Sequence, residues 1–199
     1  MSNKSRLSFV NSLIQKYAKQ QSMVDFEEEQ SHGYKIRTIK NASADATIAF
    51  AVDFSTGGEV LTKTSVIEQG NKYIPIDVHD INSILQLEAA IHALNDCKAK
   101  TLNIAGNGLY TMKGRFTQQE VDKMTYGVLN HILCSPKLLT KIELIRSGGQ
   151  SGFDEAGIKA AIKLNIPALI LAPKGWLYRD VDGTDIRDEA TFKNRFNTI

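Results

Sequence analysis

The stretch IELIRSGGQSGFDEAGIKAAIKLNIPALILAPKGW, residues 142–176, joins an apolar run to a glycine-rich turn, an alanine-rich amphipathic segment and a second apolar run. That order reads as strand, loop, helix, strand, because short apolar runs bounded by turn signals fit buried strands while a 3.6-residue period marks the helix. The same unit occurs twice upstream. ATIAFAVDF (46–54) enters the turn STGG, the helical segment EVLTKTSVIEQG stops at Gly70, and a second strand follows at 73–78. Residues 82–94 then set Ile84, Leu85, Leu87, Ala90, Ile91 and Leu94 on one helical face. KTLNIAGNG is the next strand, and a loop through Lys113 and Arg115 leads to a helix over 118–133. Strands alternating with helices of this length predict an α/β, Rossmann-like domain whose mainly parallel sheet is flanked by helices.

Outward from these units the chain changes character. Residues 7–18 place Leu7, Val10, Leu13, Ile14, Tyr17 and Ala18 at helical spacing, and residues 20–32 are polar and acidic. The expected organisation is an N-terminal helix and flexible connector over 1–32 and a single domain over 33–199. The helix is expected to serve a homodimer or higher homo-oligomer.

Composition removes several function classes. Hydrophobic residues make up 42% of the 199, the share of an ordinary globular protein, so disorder and collagen-like repeats are excluded. With 24 basic against 22 acidic residues the net charge is +2, and no block of one sign suggests a nucleic-acid footprint or a membrane-binding face. The longest apolar runs are about seven residues, against the ~20 that span a bilayer. The opening MSNKSRLSF lacks the apolar core of a signal peptide, so a cytoplasmic chain is expected. Cys97 and Cys134 form no CxxC and read as small buried hydrophobes. His32, His79, His92 and His131 are scattered without ligand spacing, so no metal and no cofactor are expected.

The chemistry lies in the glycine loops. A strand feeding a glycine-rich turn and a helix presents unpaired backbone N–H groups at a helix N-terminus, where the macrodipole also favours negative charge. Three such loops follow strands: Ser55, Thr56, Gly57 and Gly58; Gly106, Asn107 and Gly108; and Ser147, Gly148, Gly149, Gln150, Ser151 and Gly152. In an open parallel sheet all three fall on the carboxyl edge, where ligands bind. Glycine lets the backbone approach a phosphate, and the remaining side chains are neutral hydrogen bonders, so a pocket for a nucleotide or phosphosugar is expected. Neither GxxxxGK[ST] nor GxGxxG is present, which argues against kinase, ATPase and dehydrogenase readings. Asp154 and Glu155 stand in the first turn after the third loop, suited to the dipole or to ribose hydroxyls. Lys113, Arg115, Arg146, Lys174 and Arg179 lie in or beside the loop edge as candidate phosphate clamps, Arg146 foremost. Tyr110, Trp176 and Tyr178 are suited either to stacking on a base or to covering the core.

SGGQSGFDEAGIKAAIKLNIPALILAPKGW (147–176) resembles the opening motif of the molybdenum carrier proteins of the SLOG superfamily. That Rossmann-like group also includes lonely-guy phosphoribohydrolases and DNA-processing proteins. ADATIAFAVDFSTGGEVLTKTSVIEQGNKYIPIDV (44–78) resembles the later half of the same proteins. The two pieces stand here in reversed order, so the resemblance implies a circularly permuted, SLOG-type arrangement. It implies a nucleotide-derived ligand, NAD- or ADP-ribose-like or a cyclic nucleotide signal. The chain would then be a sensor or sequestering protein in bacterial or phage defence or anti-defence. The alternative is a hydrolase cleaving an N-glycosidic or phosphoribose bond. Laid on residues 58–62, the GTxxE turn of the lonely-guy enzymes puts Thr62 where their glutamate stands, and a threonine is no general acid. Glu59 follows the turn glycine directly and is expected to point elsewhere, leaving Asp154, Glu155, Glu59 and Asp53 as candidate acids.

Overall fold

The computed structural model describes residues 23–31 and 33–197; the segment read at 7–18 and His32 lie outside them. In chain order the strands are β1 (Val24–Glu28), β2 (Ala46–Ala51), β3 (Lys72–Asp77), β4 (Thr101–Gly106), β5 (Leu144–Ser147), β6 (Ala168–Ala172), β7 (Leu177–Arg179) and β8 (Asp185–Arg187). The helices are α1 (Lys35–Asn41), α2 (Gly57–Glu68), α3 (Ile84–Asp96), α4 (Gln118–Leu133), α5 (Phe153–Lys163) and α6 (Glu189–Asn194). Six strands form one sheet in the order β1-β6-β5-β4-β2-β3, with every neighbouring pair parallel, and β7 and β8 form a separate antiparallel hairpin.

Helices cover both faces of the sheet, so its middle strands are largely apolar. All six residues of β2 are buried. Helix α1 packs on α2, while α3 and α5 both pack on α4. Helix α4 starts at a capping box in which Thr117 accepts from the Glu120 N–H and Glu120 accepts from the Thr117 N–H. Helix α5 is buried through Ile162, and its Ala156, Gly157, Ala160 and Ala161 let it lie close between the sheet and α4. The chain runs from β2 out to β3, returns past β2 to β4, and then continues outward through β5 and β6. Connections therefore leave β2 and β4 in opposite directions, which opens a crevice at their carboxyl ends.

Three expectations need correction. Val24–Glu28 is not a flexible connector but the edge strand β1, paired with β6. Its sequence VDFEE alternates, exposing Asp25 and Glu27 while Phe26 packs edge-on against Phe196, and charged residues on an edge strand discourage pairing with other chains. The sheet thus begins at Val24, ahead of the boundary expected at residue 33. The region after β6 folds as the β7–β8 hairpin and α6, with Phe192 and Phe196 buried against the sheet. Cys134 is exposed and Cys97 half-buried, both free thiols. No helix among the described residues is long and apolar enough to cross a membrane.

Candidate functional site

A cleft of about 530 Å³ opens at the crevice between the ends of β2 and β4. Its walls are the loop and first turn of α2 (Thr56, Gly57, Gly58, Glu59, Leu61, Thr62), the end of β4 (Asn103 to Gly108), part of the loop after β5 and residues of α1. The α1 contribution is Arg37, Thr38 and Asn41, with Tyr34 just before the helix.

At the β2 end, Thr56 caps α2 in extended conformation, its Oγ1 accepting from the Glu59 N–H at 3.4 Å. Helix geometry leaves the first N–H groups, those of Gly57 and Gly58, without a carbonyl to donate to. A Cβ built on either glycine would meet nothing within 4 Å. Packing therefore does not require glycine at either position, and the surface above them is open to a ligand. Asn107 holds the β2 and β4 loops together: its Oδ1 accepts from the Val52 and Asp53 N–H groups at 2.8 and 3.2 Å. Ser55 lies outside the cleft, exposed and bonded to Asp53, whose pKa it lowers; Asp53 is exposed too.

The loop after β5 differs. Gly149 and Gly152 have φ of 70° and 90°, the left-handed region that disfavours a side chain. A Cβ on Gly149 would lie 2.6 Å from the Phe192 ring and 2.7 Å from Ile170; one on Gly152 would lie 2.5 Å from the Asn107 carbonyl oxygen. The Gly152 N–H donates to Gln118 Oε1 at 2.7 Å, and the Gly149 carbonyl accepts from Arg195 at 2.6 Å. Gln150 bonds the Leu177 carbonyl and the Arg179 N–H, and Ser151 donates to the Arg179 carbonyl at 2.6 Å. These glycines and amides staple β7 and α4 onto the loop, which corrects the expectation that Gly149 and Gly152 approach a phosphate. Ser147 is fully buried beneath them.

Two buried carboxyl groups face the cleft from successive layers. Glu59 is 4% exposed and Asp154 9%. Burial, and then the neighbouring Asp154, push the Glu59 pKa up to about 8, so its carboxyl is neutral at pH 7. Burial raises Asp154 to about 6, offset by the Arg37 guanidinium 3.8 Å away and by the Gln150 and Gly106 N–H groups. One N–H of the loop before α5, that of Gln150, and one at the end of β4, that of Gly106, thus already serve a carboxylate of the chain itself. Desolvation, with Glu59 beside it, also lifts the Tyr73 hydroxyl above its usual range.

The expectation that Glu59 points away from the cleft is corrected, because residues 59 and 62 lie one turn apart on α2 and both line it. Glu155 lies outside: it is paired with Lys159 at 2.6 Å and Arg195 at 2.7 Å in a network with Asp122 that ties α4, α5 and α6 together. Arg146 is also outside, since its side chain runs to Ser43 Oγ at 3.1 Å, toward the amino end of β2. Lys174 lines a separate cavity of about 280 Å³ with Arg187, and Tyr34 borders both cavities. Tyr110 and Arg179 line the main cleft, while Tyr178 is buried against Phe192, on which the half-buried Trp176 also packs. Arg37, Asn41 and Asn103 were missed from sequence. The first two sit on a seven-residue helix whose N-cap, Tyr34, makes no side-chain cap, and Asn103 is embedded in an apolar run. Among the described residues no group of three or more His, Cys, Asp or Glu could hold a metal ion.

No protein-family model matches the chain. No curated protein matches it either. Among solved structures, an NADH-dependent butanol dehydrogenase from Thermotoga maritima is similar at 10% identity with a TM-score of 0.34. The alignment covers 77% of this chain and 42% of the dehydrogenase, so the chain spans less than half that protein's length.

Proposed function

We propose that the chain binds a nucleotide-derived small molecule in the cleft between β2 and β4, as a sensor or a sequestering protein. The observation that carries this reading is an uncovered helix N-terminus at Thr56–Gly58 sharing one cavity with the buried cation Arg37. Backbone N–H groups and a guanidinium together suit a phosphate, and a cavity of this volume suits a nucleotide. Tyr34 and Tyr110, which line the cleft and are 39% and 51% exposed, offer rings on which a base could stack. The resemblance to permuted SLOG proteins supports an NAD- or ADP-ribose-like molecule or a cyclic nucleotide as the ligand, and a setting in bacterial or phage defence. Oligomer formation through residues 7–18 belongs to the same reading. The test is to incubate purified protein with a nucleotide panel and analyse what is retained and what is produced. Intact ligand recovered from heat-denatured protein is expected.

The second reading, an N-glycosidic hydrolase, is favoured by one observation: the buried carboxyls of Glu59 and Asp154 line the same cleft, where burial raises Glu59 further than Asp154. Glu59 would protonate the departing base nitrogen while Asp154 takes a proton from the attacking water. Free base above a no-protein control, lost in Glu59→Gln, would make this the correct reading.

A further inference from the structure

Four polar atoms on buried side chains of the cleft have no hydrogen-bond partner: Asn41 Oδ1, Asn103 Oδ1, Glu59 Oε2 and Arg37 Nε. The four residues are between 2% and 6% exposed and come from α1, β4 and α2. Buried polar groups are nearly always paired, so several left open around one cavity mark a place where a ligand completes them. Asn103 is held in orientation by its own Nδ2, which donates to Thr47 Oγ1 at 3.3 Å inside the sheet.

The complement to this set follows from its polarity. Two amide oxygens accept, the guanidinium donates, and the Glu59 carboxyl accepts at one oxygen and, while protonated, donates at the other. The fitting group offers at least two O–H or N–H donors and an acceptor. It needs no charge, because the two amides and the protonated Glu59 carboxyl are themselves neutral. A vicinal diol meets each condition, since every hydroxyl both donates and accepts. A base edge meets the polarity but wants a ring to lie on. The rings that line the cleft, Tyr34 and Tyr110, are 39% and 51% exposed and so stand toward solvent rather than beside the buried amides.

We infer that Asn41, Asn103 and Glu59 form a floor that takes the ribose diol of the ligand and makes the cleft select ribonucleotides over deoxyribonucleotides. This rests on the reading of the cleft as a nucleotide site. The phosphate then lies over the α2 N-terminus and the base at the tyrosines, with the sugar between them at the floor.

The test is calorimetric titration with AMP, 2′-deoxy-AMP and 3′-deoxy-AMP, and with ribose 5-phosphate and 2-deoxyribose 5-phosphate. Each deoxy compound is expected to bind about 10- to 100-fold more weakly than its parent, because a buried partner is left unpaired. In Asn103→Leu the ratio of ribo to deoxy affinity should collapse toward one, and Asn41→Leu serves if the first variant does not fold. A purely structural asparagine would change overall affinity without changing that ratio. Equal binding of parent and deoxy compounds, or an unchanged ratio in a folded variant, overturns the inference and leaves the nucleotide site standing. Failure of all five compounds, and of ADP-ribose and cyclic AMP alongside them, to bind overturns both.

Discussion

The loops after β2 and β5 share a glycine-rich composition and the same edge of the sheet, yet the structure uses them in opposite ways. Around Gly149 and Gly152 a side chain would strike Phe192, Ile170 or the Asn107 carbonyl, and the amides are spent on Gln118 and the β7 backbone. Around Gly57 and Gly58 the space is empty and the helix N-terminus is bare. The loop after β5 fits the pattern expected of a phosphate cradle and instead holds the fold together. The plainer loop after β2 leaves its helix N-terminus bare to the cleft, which the β5 loop borders with Gly148, Gln150 and Ser151. A glycine motif reports that something comes close, and only the packing says whether that is the protein or a ligand.

Substitution should separate the two loops by kind of effect. The largest change is expected for Gly152→Val, where the positive φ and the 2.5 Å approach to backbone should destabilise the fold by about 3 kcal/mol or more, seen in urea unfolding. Gly149→Val should behave alike. A folded Gly152→Val protein of wild-type stability would break the comparison.

The acids of the two loops provide the second test. Glu59 holds its proton to about pH 8 when folded, against an ordinary value of 4.5. The unfolded chain therefore releases that proton first, and stability falls as pH rises from about 4.5 to 8. Asp154 adds to the slope between 3.8 and about 6. Glu59→Gln should remove the larger part, leaving the variant about 2–4 kcal/mol more stable than wild type at pH 8.5 and little different at pH 4.5. Thermal melts across this range check it, and parallel pH profiles for the two proteins would contradict it.

At the open loop the effect should fall on binding. Gly58→Val should weaken nucleotide binding tenfold or more, about 1.4 kcal/mol, with the melting temperature nearly unchanged, since its Cβ meets only the space a ligand would fill. The smallest effect is expected for Thr56→Ala, which removes the α2 cap and should lower stability by about 1 kcal/mol.

What could be read from sequence follows the same division. β2, β4, β5 and β6 were legible because parallel strands covered on both faces are largely apolar, and α2 to α5 because each follows a strand with helical spacing. β1 was hidden because an edge strand needs only Phe26 and its apolar neighbours on one side and carries acids on the other. The β7–β8 hairpin has three-residue strands, and its one signal was the Asp182-Gly183 turn, where Gly183 has φ of 91°. In the cleft, the glycines and Thr56 were visible, but Arg37 and Asn41 arrive on a seven-residue helix before β2 that has no side-chain cap to announce it. The inward direction of Glu59 depends on Thr56 being the cap of α2, a choice that the tertiary structure makes.

The most direct test of the account is a crystal structure of the chain with ADP-ribose or AMP. The account predicts phosphate oxygens within hydrogen-bond distance of the Gly57 and Gly58 N–H groups, with the Arg37 guanidinium beside them. A phosphate seated instead on residues 148–152, or a ligand bound outside the β2–β4 cleft, would contradict it.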